Sequence, residues 1–453
     1  NMEIDCLNLE WVSYPSRDRI MATLVSNYIR YMGYSVLEKS IFNGYYYLTI
    51  TNPKVFFITN VGGADINFKL VKYAKLLGLK CASLISEGIF TEDDKHLEEF
   101  IWGWNTDKTL YEDIHMQWSE RTRDITIMKY PILKGKVKVS GGVGFDYYKI
   151  NVSEDKKTFL KKYRKDNYEK IIGVGCWDFG VLYSKDHRFS TFSKIYNEKE
   201  IARLKYDQKS FNRVLKNIVK DNPHILFLLK EHPGRIGDIS DSAIDGLVNF
   251  QNTLILKNEE NIKDCITVCD FWMVYESTTA MEAWLLNKQT CLLNPSGTDF
   301  KRANVYKGSP NYSDEQSLQS AIDMFYSNGY LPGFNELYNE RKRIIKENIQ
   351  WDDGLNHVRA GNEIIDLIIN EGIPKKQNHF NNFLKKDIIK QIILWNLSPY
   401  LCSFKKFETY AERRRAFNQR QLKEFQTKCM KEQITFYEKN GLIKEDLRII
   451  RCI

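Results

Sequence analysis

In HILFLLKEHPGRIGD, residues 224–238, an unbroken apolar run from Ile225 to Leu229 ends in Lys230, Glu231, His232 and Pro233. A run without polar alternation suits a strand buried on both faces of a parallel sheet. Proline then stops the hydrogen-bond ladder, and Gly234 permits a sharp turn. His232 is thereby expected at the carboxyl edge of a buried strand, where an imidazole can donate a hydrogen bond to a phosphate. The competing reading is a histidine that merely occupies the turn.

The flanking sequence alternates in the same way. KIIGVG (170–175), a helical pattern over 198–221, NTLILK (252–257), FWMVY (271–275), TAMEAWLLN (279–287) and QTCLLN (289–294) follow one another, and helical patterns over 314–326 and 336–371 close the series. The first half shows a similar series. A helix over SRDRIMATLVSNYIRYMG (16–33) is expected, with Ser16 as N-cap, Gly33 as stop, and Ile20, Leu24, Tyr28 and Tyr31 on one stripe. Strands are expected at YSVL (34–37), YYYLTI (45–50), VFFITN (55–60), CASLIS (81–86), DITIMK (124–129) and KVKVSG (136–141), with a helix at INFKLVKYAKLLG (66–78). Two βαβ series predict an α/β fold of two doubly wound, Rossmann-like domains facing a cleft, and in such sheets ligands bind beyond the carboxyl ends of the strands. The expected division is an acceptor-binding domain over 1–150, a charged link over 151–169, a nucleotide-sugar domain over 170–372 and a basic helical extension over 373–453.

Composition narrows the class. With 453 residues, 43% of them apolar, the chain can bury full cores. No run approaches the roughly 18 uncharged apolar residues of a membrane-spanning helix, and no secretory leader is legible at the N-terminus. The nine cysteines are scattered without a CxxC pair, which predicts buried free thiols of a reducing cytoplasm. The net charge of +8 is segregated: residues 375–453 hold 18 Lys and Arg against 8 Asp and Glu, leaving −2 for the rest. Any anionic surface is therefore expected to meet the tail.

A second constellation lies about 45 residues beyond His232. After FWMVY come Glu276, Ser277, Thr278 and Thr279, at the start of a predicted helix. Backbone N–H groups and hydroxyls there can hold a phosphate; equally, Thr279 and Glu282 fit a capping box, and the two readings are compatible. The pair of a strand ending in His-Pro and a strand ending in Glu-Ser-Thr-Thr resembles the donor-binding half of GT-B glycosyltransferases, specifically the bacterial sialyltransferase-like and Kdo-transferase-like enzymes of surface polysaccharides. The CDP-glycerol glycerophosphotransferases share a His-Pro motif as well. The resemblance covers about residues 10–370 and implies that His232 and Pro233, followed by Gly234, and the Ser277–Thr279 turn hold the phosphate of a CMP-sugar. It also implies an acidic-acidic-Gly motif whose carboxylate is the general base. The nearest match is ISEGIF, with Glu87 and Gly88, but Ser86 stands where the first acid would be.

Glu87 has a case of its own, since a carboxylate at a strand end facing a cleft can be partly desolvated and its pKa raised toward that of a base. A loop glutamate in water is the alternative. Asp65 and Asn67 are further candidates on the acceptor side, and the aromatics of WGWN (102–105) are expected to pack. Gly173 and Gly175 in GVGCWDFG could let backbone amides approach a nucleotide, although the spacing is not G-x-G-x-x-G. Five residues separate Glu276 from Glu282, against the seven common in the UDP-sugar branch. No motif offers a metal site, so no metal or cofactor is expected beyond the nucleotide-sugar itself.

In the tail, FLKKDIIKQIILWNL carries Leu384, Ile388, Ile392 and Trp395 on one stripe with Lys385, Lys386 and Lys390 beside it. Residues 383–415 are thus expected to lie on an anionic membrane surface, or else to dock on the chain's own domains. Nucleic acid is not expected, because no binding fold accompanies the charge. The expectation is an enzyme, peripheral on the inner face of the cytoplasmic membrane, moving a nonulosonate or Kdo-type sugar from a CMP donor to a glycan or lipid-linked glycan. A sugar-nucleotide 2-epimerase, a CDP-glycerol-type phosphotransferase and a non-enzymatic membrane scaffold are the rivals.

Overall fold

The computed structural model describes residues 2–10, 17–90, 97–183, 189–232, 244, 246–296, 303–370, 382–417 and 419–453. Ser16, Pro233 and Gly234 lie outside the described residues. The chain opens with β1 (Met2–Glu10), α1 (Arg17–Tyr31), β2 (Val36–Ser40), α2 (Gly44–Ile50), β3 (Thr51–Thr59) and α3 (Asp65–Leu76). Next come β4 (Lys80–Leu84), α4 (Leu97–Trp102), β5 (Ile114–Gln117), α5 (Glu120–Lys129), β6 (Val137–Val139) and α6 (Tyr147–Ile150). These six strands form a parallel sheet in the order β2-β1-β3-β4-β5-β6.

A second series follows: α7 (Lys156–Lys162), β7 (Lys170–Gly175), α8 (Phe189–Ile195), α9 (Glu198–Asp221), β8 (Ile225–Lys230) and β9 (Thr253–Leu256). It ends with α10 (Ile262–Val268), β10 (Phe271–Val274), α11 (Thr279–Leu285), β11 (Gln289–Leu293), β12 (Asn311–Tyr312), α12 (Glu315–Asn328) and α13 (Tyr338–Ile349). Its sheet is also parallel and six-stranded, in the order β12-β11-β10-β7-β8-β9. The chain closes with α14 (Asn356–Asn370), α15 (Asn382–Leu397), α16 (Lys405–Ala416), α17 (Gln419–Lys439) and α18 (Lys444–Arg448).

Each strand of the first sheet sends alternate residues to opposite faces. Cys6, Val55, Phe57, Ala82 and Leu84 pack on one side with Val25, Tyr28, Val358 and Ile364. Leu7, Leu9, Phe56, Ile58 and Cys81 pack on the other with Tyr45, Phe68, Leu70 and Ile388. The chain divides accordingly: one unit is Asn1–Asn151 with Ile345–Ile453, the other Val152–Ile344.

This corrects the expected domain boundaries. The second domain was expected to run to 372, yet α14 belongs to the first unit, where Tyr28 of α1 sits against Gly361 so closely that an added Cβ would lie 2.4 Å from the ring. Small residues at that crossing let two helices approach, and the sequence order conceals the return. The tail likewise completes the first unit. Tyr437 of α17 and Leu447 of α18 are buried in the same core as Tyr28, and His357 bonds both Asp146 (2.8 Å) and Tyr437 (2.6 Å). From Val152 on, the expected link over 151–169 is part of the second unit. It contains α7, whose Phe159 and Leu160 are buried.

Two expected strands are helices. YYYLTI lies in α2, where Tyr45 and Leu48, three apart, face the core. DITIMK lies in α5, whose buried positions are Thr122 and Thr126, four apart. The helical pattern over 336–371 is broken between α13 and α14 by positive φ at Gln350 and Gly354. Seven of the nine cysteines are buried, and all are free thiols.

Candidate functional site

In doubly wound sheets the crevice forms where strand order reverses. In the second unit that point lies between β7 and β10, with β8 on the far side of β7. Three carboxyl ends therefore converge: Cys176–Asp178 after β7, Glu231 and His232 after β8, and Tyr275–Thr279 after β10. The backbone N–H of Cys176 bonds to the Lys230 carbonyl at 3.0 Å, fixing two of these ends together.

His232 stands at this edge as the sequence predicts, its side chain 50% exposed. Its Nδ1 is 3.7 Å from the carboxylate of the buried Asp178, a residue the sequence reading passed over. At that distance the contact is electrostatic and not a hydrogen bond, and the carboxylate favours the charged imidazole. Lys230 is engaged elsewhere, since its ammonium donates to the carbonyls of Lys257 and, at 2.8 Å, Glu260.

The Ser-Thr-Thr turn is present with a different division of labour. Ser277 Oγ and Thr279 Oγ1 are 2.8 Å apart, Trp272 Nε1 donates to Thr279 Oγ1 at 3.0 Å, and the Thr279 N–H donates to Ser277 Oγ at 3.2 Å. Thr278 is the N-cap of α11 and its side chain makes no cap bond, so the expected Thr279–Glu282 box does not form. Two hydroxyls hold the turn; Thr278 is left to meet a ligand. Glu276 is half-buried at the same edge.

Gly173 and Gly175 are explained by packing. A Cβ on Gly173 would fall 2.1 Å from the Trp272 ring, and one on Gly175 would fall 2.6 Å from Thr279 Oγ1. These glycines seat an indole that braces the Ser277–Thr279 turn. Behind the edge, Tyr275 donates to buried Asp207 at 2.5 Å, Ser296 Oγ also bonds Asp207, and Arg203 donates to the Ser296 carbonyl at 3.1 Å. Asp207 and Arg203 sit mid-helix in α9, where charge every third or fourth residue looks like a solvated face.

In the first unit the order reverses between β1 and β3. Glu10 ends β1 and forms a buried ion pair with Arg19; burial raises its pKa well above the usual range, with Arg19 only partly offsetting it. Beside it, Arg17 and Asp18 open α1 opposite the residues that follow β4. Arg17 pairs with Glu87 at 2.7 Å. The Glu87 side chain is 72% exposed, so the expected desolvation of this carboxylate does not occur. Asp18 is the sheltered acid. Burial raises its pKa, with Arg17 and the neighbouring Ser86 hydroxyl pulling the other way.

Buried polar atoms gather along this edge. Glu10 Oε2 and Thr59 Oγ1 have no hydrogen-bond partner among the described residues, and Asp18 and Ser86 lie beside one another at the same edge. Unsatisfied buried polar atoms cost stability, and a cluster of them at a strand edge suits a polar ligand.

The other acceptor-side candidates have local duties. Asp65 opens α3 and pairs with Lys69 at 2.6 Å. Asn67 is buried and donates to the Asn60 carbonyl at 2.7 Å, closing the loop after β3. Gly88 lies under Trp118, where a Cβ would meet the ring at 2.5 Å. Trp102 is in a core cluster, as expected, while Trp104 of the same motif is exposed. Among the described residues, no group of three His, Cys, Asp or Glu side chains is placed to hold a metal ion.

The paired parallel sheets with flanking helices and a helical C-terminal region define a GT-B-like fold. No family model matches the chain, and no curated protein matches it. Among solved structures it is similar to a Listeria monocytogenes protein assigned as a UDP-N-acetylglucosamine 2-epimerase, with TM-score 0.54 and 10% identity over 83% of this chain and 100% of that one. A second UDP-N-acetylglucosamine 2-epimerase aligns with TM-score 0.53 and 11% identity over 84% of this chain and 100% of its own.

Proposed function

We propose that the protein is a glycosyltransferase that moves an acidic sugar of the nonulosonate or Kdo type from a CMP donor to a hydroxyl of a cell-surface glycan or lipid-linked glycan. The observation that carries this reading is His232 at the carboxyl edge of β8, on the same sheet edge as the Ser277–Thr279 turn. Charge develops on the leaving phosphate as the bond from the anomeric carbon to the phosphate oxygen breaks. In this reading His232 and the Thr278 hydroxyl would meet that charge, in the way preorganised donors stabilise transition states. Loss of the acceptor proton as the new C–O bond forms needs a carboxylate base. Asp18 suits this better than Glu87. It is the more sheltered acid, and it stands beside Ser86, the position where the resembled motif carries its first acid.

The epimerase reading is the second one, favoured by the names of the two fold neighbours. The two readings part over the acceptor. When the protein is incubated with CMP-sugars and UDP-N-acetylglucosamine in the absence of acceptor, nuclear magnetic resonance should show the UDP-sugar unchanged at C2. Conversion there would replace transfer by epimerisation as the reaction.

A further inference from the structure

We propose that α15 and the turn after it form a docking surface for an anionic membrane, using a face of the helix other than the stripe legible in the sequence. The stripe Ile388, Ile392 and Trp395 packs inward against the cluster of Phe42 and Tyr45. Gln391 locks that face down: its Oε1 accepts the Tyr45 N–H at 3.0 Å and its Nε2 donates to the Ile41 carbonyl at 3.4 Å. Arg414 donates to the Trp395 carbonyl at 2.9 Å, tying α16 to α15 from the other side. None of these inward groups is available to a bilayer while the unit is folded.

The outward face is apolar as well. Ile389, Ile393 and Leu397 recur every fourth residue on α15, and Tyr400 and Phe404 follow in the turn before α16; these five side chains are between 43% and 82% exposed. Residues four apart line one face of a helix. Among the described residues, other large exposed apolar side chains include Met128, Ile132 and Ile453, but none of these has the four-residue repeat of the α15 face. Lys386 and Lys390 on α15 and Lys405 and Lys406 at the head of α16 are exposed beside this stripe. Residues 385–415 hold eight Lys and Arg against Asp387, Glu408 and Glu412.

The charge selects the occupant. A second copy docking face to face would bring this cationic surface against itself, since a two-fold contact uses the same patch on both chains. Anionic headgroups are complementary to it, and apolar side chains rimmed by lysines enter the headgroup boundary. No helix among the described residues is long and apolar enough to cross a membrane, so the contact is with the surface. It is independent of the donor chemistry proposed above.

The test uses the full chain and vesicle sedimentation. With vesicles of phosphatidylcholine containing about 30% phosphatidylglycerol, the protein should bind, and raised salt should release it. Phosphatidylcholine alone should bind at least tenfold less. The variant Ile389→Ser/Ile393→Ser/Leu397→Ser should lose at least tenfold in partitioning at an unchanged unfolding temperature, because these side chains leave no core. Lys386→Gln/Lys390→Gln should lose about fivefold per lysine. Equal binding to neutral vesicles, unchanged binding by both variants, or a wild-type dimer that the serine variant dissociates without vesicle binding would each overturn the proposal.

Discussion

Asp18→Asn is expected to lower transfer by about a hundredfold to ten-thousandfold, the range a positioned general base supplies, while leaving nucleotide affinity unchanged. Glu87→Gln should cost less than about tenfold, because that carboxylate is exposed and held by Arg17. Steady-state transfer assays on the two variants decide between them, and the reverse ranking would return the base to Glu87. Stability provides the control. Burial raises the Asp18 carboxyl above its ordinary value, so the folded state binds this proton more tightly than the unfolded one. The stability tied to Asp18 is then fully present below the unfolded value, near pH 4, and is lost as pH rises through the higher folded value. Asparagine carries no such penalty. Asp18→Asn should therefore be at least as heat-stable as the parent at pH 7.5, and its loss of turnover cannot be assigned to unfolding. A base of raised pKa should also move the acid limb of the pH–rate profile upward from the carboxylate range near pH 4.

His232→Ala should lower turnover by about tenfold to a thousandfold, as expected when one group that stabilises transition-state charge is removed. The side chain is half exposed at a strand edge, so the fold should survive. Asp178→Asn should give a smaller loss in the same direction, since its carboxylate, 3.7 Å from Nδ1, acts only through the charge of the imidazole. Normal turnover of a folded His232→Ala protein would reduce the histidine to a turn residue.

The second sheet was legible because its strands are apolar runs bounded by turn residues: Ile225–Leu229, Phe271–Val274 and Gln289–Leu293 are buried almost throughout. The first sheet was harder to read. β1 interleaves Glu3, Asp5 and Asn8 with its core residues, and β5 is the four residues Ile114–Gln117 with a histidine and a glutamine among them. Both escaped notice. Aromatic and β-branched residues argued for strands at α2 and α5, but the buried positions repeat every three or four residues, and packing overrode propensity. His232 and the Ser-Thr-Thr turn were visible because their chemistry sits within a few residues of a strong strand signal. Asp18 was not. An acid in the first turn of a helix reads as a complement to the helix dipole, and its approach to Ser86 exists only once α1 and β4 are brought together.

Titration calorimetry of the wild-type protein with CMP, CDP, UDP and GDP tests the central claim most directly. The proposed donor chemistry predicts that CMP or CDP binds at least about tenfold tighter than UDP or GDP, a difference of about 1.4 kcal/mol, and that His232→Ala weakens this binding. A clear preference for UDP, untouched by His232→Ala, would contradict it.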